Sequence, residues 1–181
     1  PSTFLKEVMD LFSLTALEIC EGQQMDMEFE QRNDVTAEEY LEMIRLKTAV
    51  LLAASLKIGA RLGGASVEDA DRLYDFGMHI GVAFQLKDDL LDVYGNAKVF
   101  GKNIGGDILC NKKTYMLIKA LEHANADQHN QLNSWINAET FQPAEKIAAV
   151  TELYDRIGVK AVCENKILEY SNRAMESLAA V

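Results

Sequence analysis

From Thr36 to about Arg61, and again from Ser66 to Tyr94, apolar residues return every three or four positions with no proline to interrupt them. That period fits a helix with one buried face and excludes the two-residue alternation of a half-buried strand. Thr36 and Glu39 have the spacing of a capping box, and Ser66 is placed as an N-cap. Gly63-Gly64 and Gly95 close the two runs. The same periodicity predicts helices at about 3–31, 112–124, 127–137 and 143–157, the last with Pro143 in its first turn, and a final helix from Val159 onward. Residues 95–111, rich in Gly and Lys, read as a loop. The expectation is a single all-α domain over residues 1–181.

A net charge of −10 excludes the broad basic face that nucleic-acid binding requires. An anionic ligand would need local Lys or Arg, or a bridging cation. Cys20, Cys110 and Cys163 are odd in number and widely spaced, so neither a disulfide framework nor a CxxC metal pattern is present. No signal peptide or long apolar run is visible, which predicts a cytoplasmic location and no transmembrane segment.

The segment Phe84-Gln-Leu-Lys-Asp-Asp-Leu-Leu-Asp92 carries the most chemistry. Gln85, Asp88, Asp89 and Asp92 stand at i, i+3, i+4 and i+7 and project from one helical face. Carboxylates crowded in this way repel one another unless a cation or water stands among them, and oxygen-only donors suit Mg²⁺. A solvated helix face would carry the same D-D-x-x-D. Met78, Gly81 and Val82, one and two turns earlier on the same stripe, favour the wall of a pocket with an acidic mouth. Phe84, Leu86, Leu90, Leu91 and Val93 imply that the rest of the helix is packed.

Lys47 falls on the inward stripe formed by Tyr40, Ile44, Leu51, Ala54 and Ile58, with Thr48 beside it. A lysine placed there either snorkels to water or meets an anion. A helix-interior Thr can equally bond its own backbone. After the acidic helix come Lys98, Gly101-Lys102, Gly105-Gly106-Asp107 and Lys112-Lys113-Thr114. Glycine lets backbone approach a ligand and Lys supplies a point charge for phosphate, although the P-loop spacing is absent. The three histidines have no ligand-like spacing, and Asp26, Glu28 and Glu30 read as solvated surface.

Taken together, Gly22-Gln23-x-x-Asp26, Lys47-Thr48, Phe84-Gln85-x-x-Asp88-Asp89-x-x-Asp92, Gly101-Lys102 with Gly105-Gly106-Asp107, and Lys112-Lys113-Thr114 resemble the trans-isoprenyl diphosphate synthases. The resemblance spans residues 22–114, with five motifs in order. It implies an isoprenoid-synthase-type helical bundle with a central cavity, usually a homodimer, that condenses isopentenyl diphosphate with an allylic diphosphate using Mg²⁺. By the same resemblance Asp88 is a direct metal ligand, and Asp89 and Asp92 order the ion's water shell. Lys47, Lys102 and Lys112 contact the allylic diphosphate, with Thr48, Gln85 and Gln23 in support.

The family's first aspartate-rich motif, its N-terminal elements for isopentenyl diphosphate and its basic C-terminal tail have no counterpart here. The chain is therefore expected to be roughly the C-terminal three-fifths of a larger bundle and inactive alone. A non-catalytic subunit on the same bundle, or a terpene cyclase, are the alternatives. The lysines and Phe84-Gln85 favour elongation over cyclisation.

Overall fold

The computed structural model describes residues 4–96 and 104–181, so Lys98, Gly101 and Lys102 lie outside the described residues. Within that range the chain is helical, with no strand. In order it forms α1 (Leu5–Phe29), α2 (Ala37–Ile44), a π-helical turn (Arg45–Ala49), α3 (Val50–Leu62), α4 (Val67–Tyr94), α5 (Gly106–Leu109), α6 (Tyr115–His123), α7 (Ala126–Ile136), α8 (Pro143–Ile157) and α9 (Val159–Ala179). No helix among the described residues is long and apolar enough to cross a membrane.

The capping chemistry forms as its spacing predicts. Thr36 Oγ1 accepts from the Glu39 amide at 3.1 Å, and the Glu39 carboxylate accepts from the Thr36 amide at 2.8 Å. Ser66 Oγ accepts from the Asp69 amide at 2.9 Å, and Gly95 follows the last turn of α4. The predicted helix at 112–124 starts three residues later. Thr114 caps α6, its hydroxyl accepting from Leu117 N–H, so Lys112 and Lys113 precede the helix. The short helix α5 interrupts the segment expected to be loop.

Two compact units divide the chain, one built from residues up to 33, 41–85 and 166–181, the other from 34–40 and 86–165. In the first, α1 packs on the π turn and on α3. α4 approaches without side chains between the backbones. A Cβ on Gly81 would stand 2.6 Å from Ala49 Cα, and one on Gly77 would stand 2.6 Å from Ala53 Cα. Gly81 therefore serves close helix packing, not the pocket wall that its place on the stripe suggested. In the second unit, α8 packs against α5, α6 and α7. The core there includes Leu86, Leu90, Met116, Leu132, Val150 and Tyr154.

The inward stripe of the α2–α3 run changes phase at the π turn. Tyr40, Met43 and Ile44 are buried before it, and Ala49, Val50, Ala53 and Ala54 after it. Leu51, expected inside, is 53 % exposed. The Val50 amide bonds to the Arg45 carbonyl five residues back, and that wider turn rotates everything downstream. Phe84 is also a correction: at 64 % exposed it is not part of the packed side of α4, and Leu91 is only half-buried.

These contacts separate two glycines of equal helix propensity. Gly59 in α3 has nothing within 4 Å of a built Cβ. Gly59→Ala should stabilise the fold by up to about 1 kcal/mol, the ordinary helix gain. At Gly81 the same gain is set against overpacking of about 1–3 kcal/mol, so Gly81→Ala should gain nothing and lose up to about 2 kcal/mol in denaturant unfolding.

Candidate functional site

In the unit comprising 34–40 and 86–165, the acidic end of α4 is met by a backbone fold rather than by open solvent. The Asp92 carbonyl accepts from Gly105 N–H at 2.7 Å, and its Oδ2 accepts from Asp107 N–H at 3.0 Å. Gly105 lies at φ +85 against Ile147, a conformation and a closeness that both require glycine. These bonds bring Asp107 beside the α4 carboxylates. Lys112 Nζ stands 3.6 Å from Asp107 Oδ1, and the Lys112 amide bonds the Asp107 carbonyl at 2.9 Å. Burial raises the Asp107 pKa above the usual carboxylate value. Lys112 opposes that shift, and the charges of Asp92 and Asp88 add to it.

The three aspartates at the C-terminal end of α4, Asp88, Asp89 and Asp92, are not equivalent. Asp88 and Asp92 are half-buried, one helical turn apart. Asp89 is buried and accepts a hydrogen bond from the hydroxyl of Tyr40, itself buried. Burial first, and the Asp89 charge second, push the Tyr40 hydroxyl well above its ordinary pKa, so it stays a donor. Sequence spacing alone had placed Asp89 with Asp88 and Asp92. Its carboxylate is instead built into the protein interior.

In the other unit, Lys47 lies on the π turn and its Nζ pairs with Asp26 Oδ2 at 2.6 Å. Asp26 is therefore not the solvated acid it resembled, although Glu28 and Glu30 are exposed. Thr48 Oγ1 donates to Gln85 Oε1 at 3.2 Å, joining the π turn to α4 in place of a bond to its own backbone. A Cβ on Gly22 would meet the Lys47 amide nitrogen at 2.5 Å, so α1 presses directly on the backbone of the π turn. Gln23 is exposed. His79 stands edge-on to Tyr170 with its ring centroid 6.2 Å away, and burial lowers its pKa.

Chemically the second unit offers carboxylate oxygens beside a lysine, with no thiol or imidazole among them. That is a hard-cation donor set, and Asp88, Asp92 and Asp107 fit Mg²⁺ in chemistry. No group of three or more His, Cys, Asp or Glu among the described residues is gathered tightly enough to hold a metal by itself.

Residues 3–154 match the sequence profile of the polyprenyl synthetase family. The chain belongs to that family. It is 40 % identical over 177 residues to a short chain isoprenyl diphosphate synthase of Methanothermobacter thermautotrophicus, an alignment covering 98 % of this chain and 54 % of the relative. A crystal structure of a geranylgeranyl pyrophosphate synthase superposes with a TM-score of 0.91 at 38 % identity, over 97 % of this chain and 55 % of that one. A Corynebacterium glutamicum geranylgeranyl pyrophosphate synthase, solved in complex with isoprenyl diphosphate and magnesium, gives 0.88 at 30 % identity, over 98 % and 50 %. The chain thus has the polyprenyl synthetase fold, spans about half the length of these relatives and corresponds to their C-terminal portion.

The Tyr40–Asp89 bond gives a direct test of the buried carboxylate. Tyr40→Phe removes the donor without changing the ring. It should cost about 1.5–3 kcal/mol in unfolding free energy at neutral pH, the range for a hydrogen bond to a charged group.

Proposed function

We propose that the protein carrying this chain is a prenyltransferase that condenses isopentenyl diphosphate with an allylic diphosphate to give a longer trans-prenyl diphosphate. The observation that carries the reading is the close set of Asp88, Asp92, Asp107 and Lys112, where acid suited to a divalent cation stands beside base suited to phosphate. Family membership and the isoprenyl diphosphate and magnesium bound by the Corynebacterium relative support it.

In this reading Asp88 and Asp92, with Asp107 beside them, hold Mg²⁺, and Asp89 acts from the interior by fixing the α4 register. When bound, the metal neutralises charge on the diphosphate oxygens. Lys112 supplies an ammonium group beside the acids, and Lys47 and Lys102 are assigned to diphosphate oxygens by resemblance. Thr48 and Gln85 hold the π turn that presents Lys47, with Gln23 in support. As the allylic carbon–oxygen bond breaks, the electron pair leaves with the diphosphate, and fixed positive charge stabilises it more than it stabilises the substrate. The isopentenyl double bond then attacks the allylic carbon, and loss of a proton restores an alkene. The homodimer, the cytoplasmic location and the single-domain organisation implied by the sequence belong to this proposal.

The test supplies isopentenyl diphosphate, dimethylallyl, geranyl or farnesyl diphosphate and Mg²⁺ to the gene product that carries this chain, and to residues 1–181 alone. Elongation by the gene product, with none by residues 1–181, is expected. A folded gene product that yields no prenyl product would reject the enzyme in favour of a non-catalytic subunit. A cyclised hydrocarbon would favour a terpene cyclase. Asp88→Ala should lower turnover by about a hundredfold or more, as loss of electrostatic stabilisation does elsewhere, with helix content by circular dichroism unchanged.

A further inference from the structure

Lys146, in the first turn of α8, is 1 % exposed. Its Nζ donates to Asn111 Oδ1 at 2.7 Å and reaches the Leu109 carbonyl at 3.5 Å, and it stands 4.3 Å from the centroid of the Phe141 ring. All of these partners are neutral. Burial lowers the lysine's pKa. Cys110 opposes that shift without cancelling it. A buried cation held by amide and carbonyl dipoles and a ring is costly to keep, and an apolar side chain of the same length would fill the space more cheaply.

The two acceptors define what the cation holds. Leu109 ends α5, and Asn111 is the one non-glycine with positive φ among the described residues, at 52°. Asn tolerates that conformation, and here its side chain is used on both sides. Its Oδ1 accepts from Lys146 and its Nδ2 donates to the Ile136 carbonyl at 2.9 Å. The left-handed turn at Asn111 sends the chain from Asp107 into Lys112. The cavity here, lined by Asp107, Asn111, Lys112, Trp135 and Lys146 among others, measures about 20 Å³. It admits a water but no organic ligand.

We infer that Lys146 is a positioning residue for diphosphate binding: through Asn111 and the Leu109 carbonyl it sets the turn that holds Lys112 beside Asp107. It touches neither substrate nor metal, and its role rests on the diphosphate role proposed above for Lys112.

The test uses Lys146→Met and Asn111→Gly in the gene product that carries this chain. Lys146→Met keeps the apolar stem and removes the donor. Asn111→Gly removes the acceptor while keeping positive φ free of strain, so it carries the test if Lys146→Met does not fold. The first readout is hydrogen exchange at the amides of Cys110, Asn111 and Lys112, which should speed up in both variants while the α6 amides stay protected. The second is kinetic. KM for the allylic diphosphate should rise about tenfold, in the range seen when outer supports of a site are removed, with KM for isopentenyl diphosphate unchanged. The double variant should be impaired by less than the sum of the two single effects, because the Lys146–Asn111 bond is lost in both. Unchanged exchange at those amides, or a rise in both KM values together, would overturn the inference. If the unmodified protein elongates no prenyl diphosphate, the proposed function fails, and the exchange data still decide whether Lys146 holds the turn.

Discussion

Asp88, Asp89 and Asp92 place three negative charges within two turns of one helix, in a protein that already carries a net charge of −10. At an effective dielectric near 20, like charges about 6 Å apart repel by roughly 3 kcal/mol, so the helix end is stable only if that charge is met. The chain meets it in part with dipoles. Asp89 receives the Tyr40 hydroxyl, and Asp92 receives the Asp107 amide. The fold then brings in a fourth acid, Asp107, with Lys112 beside it. Dipoles lower the cost of the charges without cancelling them.

Much of the helical plan was legible because it rests on local chemistry. A threonine and a glutamate three residues apart, a serine before an apolar run and a glycine after one are each sufficient to place a helix end, and Thr36, Ser66 and Gly95 behave accordingly. The π turn was not legible. It inserts no special residue into Arg45–Ala49, and a 3.6-residue count carried through it puts Leu51 inside, although Ala54 on the same count is buried. Helix α5 was hidden for a different reason. Four residues are too few to show a period, and what holds them is the long-range bonding of Asp92 to Gly105 and Asp107.

The candidate site divides along the same line. Spacing on a helix face shows which carboxylates share a stripe, and Asp88 and Asp92 are both half-buried on it. It does not show depth, so Asp89 was grouped with them although it is buried against Tyr40. Asp26 was set aside as one acid among several on an exposed helix end, and only the tertiary approach of the π turn gives it Lys47 as a partner. Lys146 gave no signal at all, since a lysine in the first turn of an amphipathic helix is ordinarily solvated. Its burial depends on Asn111 and Phe141, which lie thirty-five and five positions away.

Each unit fixes its candidate-site residues partly through backbone. In one, Gly22 lets α1 press on the Lys47 amide itself, so the ammonium group extends from a turn that cannot shift without moving a helix. In the other, the Gly105 amide bonds the Asp92 carbonyl at 2.7 Å and the Lys112 amide bonds the Asp107 carbonyl at 2.9 Å, so backbone ties both acids in place. Side-chain contacts can slip by a rotamer at a cost of about a kcal/mol, whereas a backbone seated against backbone has no such freedom. For chemistry that depends on fixed charge surrounding a leaving group, this rigidity matters more than the number of lysines. Charge that must reorganise during bond breaking loses part of its stabilising effect, and charge already in place does not.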